Sequence, residues 1–70
     1  MKLDVFIDIR ERINSRALWD ILEGTGANVT DLGTNTLVYG TISIEYVHTV
    51  LTTCLEFGDA IATITPTHRN

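Results

Sequence analysis

Residues 2–10 alternate without a break. Leu3, Val5, Ile7 and Ile9 fall on one side of an extended chain, and Lys2, Asp4, Phe6, Asp8 and Arg10 on the other. A strict period of two over this length is the pattern of a β-strand with one face in a core and the other towards water or a partner. Everything after it has to supply cover for that aliphatic face.

The chain has 70 residues, enough for one domain, expected over 1–66 with a polar tail at 67–70. A chain of this size buries only about 60% of the surface its unfolded form exposes. Small domains usually add a staple: disulfides, a metal or a partner subunit. Cys54 is the only cysteine, so no internal disulfide forms, and no Cys/His cluster has metal-ligand spacing. No cofactor is implied. Oligomerisation is therefore the expected way to gain buried area.

The formal net charge of −4, with five Lys and Arg residues, argues against sequence-independent binding of nucleic acid, which draws its affinity from cations at phosphates. Asp4 and Asp8 interrupt the first apolar segment, so the N-terminus does not read as a signal peptide. No apolar run approaches the roughly 20 residues that a membrane span needs. The expectation is a cytoplasmic protein without a membrane partner. Asn28-Val29-Thr30 matches a glycosylation acceptor, which without a secretory signal reads as chance.

Asn14 is a good N-cap, with Ile13 before it and Leu18 after it at the spacing of a hydrophobic staple. Ala17, Leu18, Ile21 and Leu22 share a helical face, and Gly24 and Gly26 can end the helix, which is expected over 15–24. Residues 29–32 read as a short strand, Gly33-Thr34-Asn35 as a turn, and the β-branched, aromatic run 36–42 as a third strand. Gly40 within it marks a bulge or a close backbone approach. Ser43 is the second N-cap, with Ile42 and Val47 at staple spacing. Val47, Val50, Leu51, Cys54 and Leu55 form the core stripe of a helix expected over 44–57, closed by Gly58. Residues 59–65 form the last strand, with Ile61, Ala62 and Ile64 as its structural residues and Pro66 ending it.

Strand, helix, strand, strand, helix, strand with right-handed crossovers is the ferredoxin-like βαββαβ plait, an α+β fold. Its antiparallel sheet has four strands in the order 4-1-3-2. Both helices lie on one face and leave the other open.

Four groups of residues could carry chemistry. Arg10, Arg12 and Arg16, with Asn14 and Ser15, surround the start of the first helix, where backbone N–H groups and the helix dipole favour a phosphate or carboxylate. A solvated loop paired with Glu11, Asp8 or Asp20 explains the same charges more simply. Glu45 and His48 stand at the i, i+3 spacing of a carboxylate-bundle metal site, but the first helix offers no matching motif. Asp4 and Asp8 are about 13 Å apart along a strand, too far to share a proton or a metal. Asp8 alone, near the end of a central strand, could act as a catalytic acid or a metal ligand. Phe6, with Leu37 and Tyr39 if the third strand is turned that way, would make an apolar patch on the open face. RNA-recognition sheets stack bases on such aromatics, but the motif that carries this is absent and the aspartates would repel phosphates. A buried dimer surface accounts for the patch more simply. Trp19 reads as edge-of-core packing, Cys54 as a small buried hydrophobe, and His68 carries no signal.

The expected function is a self-associating, non-enzymatic regulatory or interaction module, with a small anion as a further ligand. A hydrolase-type enzyme using Asp8 with Arg10 or Arg12, and an RNA-binding sheet, are the rivals. The plait hosts many functions and does not choose among them.

Overall fold

A computed structural model describes residues 1–67; of the expected tail, residues 68–70, His68 included, lie outside them. The elements are β1 (Lys2–Ile9), α1 (Arg16–Gly24), β2 (Asn28–Asp31), β3 (Thr36–Ser43), α2 (Ile44–Leu55) and β4 (Ala60–Pro66). The strands form one open antiparallel sheet in the order β2-β3-β1-β4, the expected order read from the other edge. Among the described residues no helix is long and apolar enough to cross a membrane.

β1 is central because its alternation demands cover from both sides and from above. Val5, Ile7 and Ile9 are buried, and Thr36, Val38 and Ile42 of β3 complete the same layer. The helices close it with Leu22 from α1 and Val47, Val50 and Cys54 from α2. Phe6, Asp4, Tyr39 and Thr41 point the other way and are exposed, so both helices cover one face of the sheet.

Gly40 sits opposite Val5 in an unbroken register, so it marks no bulge. Its φ of 145° suits only glycine, and a Cβ there would lie 3.4 Å from the Asn28 Nδ2. That is ordinary van der Waals contact, so it is the backbone angle, and not a close approach of another strand, that requires glycine here.

Three expectations need correction. The cap of α1 is Ser15, not Asn14: the Ser15 Oγ accepts from the Leu18 N–H at 3.3 Å. Both residue types cap well, so a one-residue shift costs nothing locally. The shift puts Asn14 at N′ and Trp19 at N4, so the expected staple of Ile13 with Leu18 is lost. Leu22 is then the buried residue of α1, Trp19 packs at the edge of the core, and Ala17 and Ile21 are exposed. α2 starts after Ser43 as expected, but its cap side chain makes no bond to the backbone, and the helix ends at Leu55. Its buried face is rotated: Thr53 is inside and Leu55 is outside. In β4, Ile61, Ala62 and Ile64 are all exposed: Ile61 pairs with Asp8 on the open face, and Ala62 and Ile64 lie on the helix side where the helical layer stops short of this edge. Pro66 does end the strand, opposite Leu3.

Thr36 is the buried polar group that ties the layers together. It is fully buried, its Oγ1 donates to the Glu11 carbonyl at 3.0 Å, and the same oxygen accepts from the Ile13 N–H at 3.2 Å. One hydroxyl thus satisfies a donor and an acceptor of the β1–α1 connection and seats Ile13 in the core.

Chemical denaturation checks this arrangement. Ser15→Ala is expected to cost about 0.5–2 kcal/mol, whereas Asn14→Ala and Ser43→Ala should stay within about 0.5 kcal/mol, as for surface changes that remove no cap bond. Thr36→Val keeps the shape but orphans two backbone groups, an expected loss of about 1–3 kcal/mol. Equal effects at Ser15 and Ser43 would contradict the cap assignment.

Candidate functional site

The uncovered face of the sheet is built by the outward half of each strand. In the central row Tyr39, Phe6 and Thr63 stand side by side, with Asn28 beyond Tyr39. One row along lie Thr30, Leu37, Asp8 and Ile61. On the other side lie Thr41, Asp4 and Thr65. Phe6 therefore has Tyr39 directly beside it and Leu37 and Ile61 on its diagonals, within reach of an aromatic ring. The three residues expected to share this face do so, and Ile61 joins them. Phe6, Tyr39 and Ile61 are 49%, 39% and 58% exposed.

The two carboxylates on this face are held by the sheet itself. The Asp4 Oδ1 accepts from the Thr41 hydroxyl at 2.8 Å and from the Thr67 hydroxyl at 3.0 Å. The Asp8 Oδ1 accepts from the Asn35 amide at 2.8 Å. Each negative charge is thus drawn into a side-chain network, Asp4 at one end of the patch and Asp8 between Leu37 and Ile61, and Phe6 lies between the two.

The arginines are dispersed. The Arg12 guanidinium grips Asp31 through its Nε and through its Nη2 at 2.7 Å. This hydrogen bond, with the Gly33 N–H at 2.7 Å, holds the Asp31 carboxyl below the usual range and raises Arg12 further. Arg16 pairs with Asp20 one turn along α1 at 3.3 Å. Arg10 lies with Asp59, Ala60 and Ile61 in a cleft at the start of β4, and its N–H donates to the Asp59 carbonyl. Asn14, Ser15 and Arg16 do line one shallow cleft, with Ile13 and Trp19. The five candidate anion ligands thus divide among three places, and two of the three guanidiniums already hold carboxylates.

Glu45 and His48 are exposed on α2. Among the described residues no three His, Cys, Asp or Glu side chains are grouped to hold a metal. Cys54 is buried beneath α2, and burial pushes its thiol up to about 11. A thiol in this setting stays protonated and unreactive at neutral pH.

Thr36 and Ile61 escaped sequence reasoning. A lone threonine in a β-branched run reads as strand propensity, and only the 25-residue separation from Glu11, closed in space, reveals the latch. Ile61 reads as a structural residue of the last strand, and the register opposite Asp8 places it on the open face.

The chain matches no family model and no curated protein sequence.

Two titrations check the electrostatics. The Asp31 carboxyl should titrate below an ordinary aspartate, and Arg12→Ala should return it towards the usual value. An unchanged midpoint would contradict the pairing. For Cys54 the native thiol ionises at higher pH than the unfolded one. Its protonated form is the one that folding favours, so stability should fall as pH rises from about 9 towards about 11. Cys54→Ala should flatten that fall, and an identical pH profile for both proteins would contradict it.

Proposed function

We propose that this chain is a ferredoxin-like plait that acts by association rather than by catalysis: a cytoplasmic homo-oligomeric interaction module joined through its open sheet face. The observation that carries this reading is the contiguous set of Phe6, Leu37, Tyr39 and Ile61 on a face that no helix covers. Apolar patches of this kind on water-exposed surfaces mark interaction sites. A two-fold dimer lays the same patch against itself. Asp4 and Asp8, hydrogen-bonded to threonine and asparagine side chains, enter such an interface partly satisfied, Asp4 at its edge and Asp8 between Leu37 and Ile61. The size argument points the same way, since a domain of 70 residues without a disulfide gains stability from each additional buried surface.

The hydrolase reading lacks support of this kind. It needs an acid and a cation meeting at one point, whereas Asp8 is engaged by Asn35 and Arg12 by Asp31. A base-stacking role for Phe6 and Tyr39 would place phosphates beside Asp4 and Asp8. A small anion at the cleft of Asn14, Ser15 and Arg16 is compatible with the dimer, because that cleft lies at the start of α1, away from the open face.

Sedimentation equilibrium is the test. At about 100 μM, a concentration that populates micromolar complexes, the wild type should sediment as a multiple of the 7.8 kDa chain. Phe6→Glu or Tyr39→Glu should lower the order of the assembly. A monomeric wild type, or an assembly that both substitutions leave intact, would contradict the proposal.

A further inference from the structure

The open face carries its charges along one line. Alternation sends Lys2, Asp4, Phe6, Asp8 and Arg10 outward from the line of β1, so the central strand reads positive, negative, aromatic, negative, positive. The row that crosses it at Phe6 is uncharged. There Asn28, Tyr39 and Thr63 present an amide and two hydroxyls.

This pattern limits how the face can meet its own copy. Sheets pack face to face with their strands either nearly aligned or nearly perpendicular. Aligned and centred on Phe6, two copies lay β1 over β1. Parallel strands then set Asp4 on Asp4 and Asp8 on Asp8, and antiparallel strands set Asp4 on the other copy's Asp8. Like charges brought together in an interface oppose association. A shift of one strand sets Asp8 on Leu37 or Ile61, and a shift of two residues sets Asp4 or Asp8 on Phe6. Each shift leaves a carboxylate against an apolar side chain.

A right-angle crossing removes the conflict, because one copy's β1 then lies over the other's uncharged row. Asp4 and Asp8 stand about 7 Å to either side of Phe6, and neighbouring strands about 4.8 Å apart. One carboxylate therefore comes over Tyr39 and Asn28, and the other over Thr63. Two axes in the plane of the face give such a crossing, one along the line from Phe6 to Leu37 and one along the line from Phe6 to Ile61. Two strands flank β1 on the β3 side and one on the other. The overlap is therefore off-centre. The first axis keeps Leu37, Asp8 and Ile61 inside it and leaves Asp4 at its edge, and the second does the reverse. Burial of the apolar row selects the first. Asp8 also has more to gain, since among the described residues it is held by Asn35 alone, whereas Asp4 holds Thr41 and Thr67.

We infer that two copies cross their open faces at about a right angle, and that each receives the other's Asp8 between Tyr39 and Asn28. This rests on the open-face association proposed above and names the residues that fix its geometry. A phenol and an amide both donate, so the carboxylate enters the interface paired. Leu37 meets Leu37 on the axis. Four strands are about as wide as six residues of β1 are long, so the crossing keeps most of the face covered.

Spin labels and one substitution test this. Labels on Lys2→Cys, Arg10→Cys and Leu32→Cys lie outside the overlap, and Cys54 is buried and stays unlabelled. In the crossed dimer the two copies' backbones should lie about 20 Å apart at position 2 and equally at position 10, and within about 15 Å at position 32. Tyr39→Phe keeps the ring and should raise the dimer dissociation constant by about tenfold or more. Separations at positions 2 and 10 of about 10 Å, of about 30 Å, or unequal to each other belong to aligned strands and would overturn the crossing. So would a Tyr39→Phe dimer as tight as the wild type. With either result, a dimer that Phe6→Glu still dissociates leaves the open-face reading standing. A separation beyond about 30 Å at position 32 belongs to the second axis and would overturn the placement of Asp8. A monomeric wild type, or a dimer that Phe6→Glu leaves intact, would overturn both the crossing and the open-face reading.

Discussion

The rest of the structure depends on the register of β1. With a side-chain period of two, a slip of one residue would carry Val5, Ile7 and Ile9 to the open face and bring Asp4, Phe6 and Asp8 into the core. That penalty pins β1 between β3 and β4, and through them the whole sheet. It also settles what the open face displays. Phe6 meets Tyr39 and Thr63, and Asp8 meets Leu37 and Ile61, because the aliphatic half of the strand has no other place to go. Core and candidate site are two faces of one alternation.

A second constraint is the economy of polar groups near the core. Thr36 spends one hydroxyl on two backbone partners and thereby fixes the β1–α1 connection. The Arg12–Asp31 pair joins that connection to the end of β2 at the surface, where solvent weakens it. The buried, neutral contact is the one that positions Ile13. The exposed, charged contact chiefly disposes of an arginine that would otherwise be free for a ligand.

Local patterns in the sequence carry the elements, their order and the outward direction of Phe6, since these follow from periodicity and from turn and cap chemistry; the facing of Leu37 and Tyr39 stays open in the sequence and is set by the register of β3 on β1. Tertiary coverage was not legible. Asn14 and Ser15 are equivalent caps until a particular N–H chooses between them. The pairing of Arg12 with Asp31 spans 19 residues, and no short-range rule sees it. Leu55 belongs to the core stripe by helical spacing, and Ile61, Ala62 and Ile64 read as the structural residues of the last strand, yet all four are exposed. Whether an apolar residue is buried depends on how far the two helices reach across the sheet, and here they stop at β1. An apolar surplus at one edge and on one face is what a chain this small leaves when its own helices cannot cover four strands.

The most direct test of this account measures solvent contact at Phe6 and Tyr39 themselves, by nuclear magnetic resonance with a soluble paramagnetic probe over a dilution series. In a lone chain these side chains are 49% and 39% exposed. The account predicts that at high protein concentration their ring protons are shielded from the probe while Met1, which is 85% exposed, relaxes strongly, and that the shielding is lost on dilution. Ring protons that relax in proportion to their exposure in the lone chain at every concentration would contradict it.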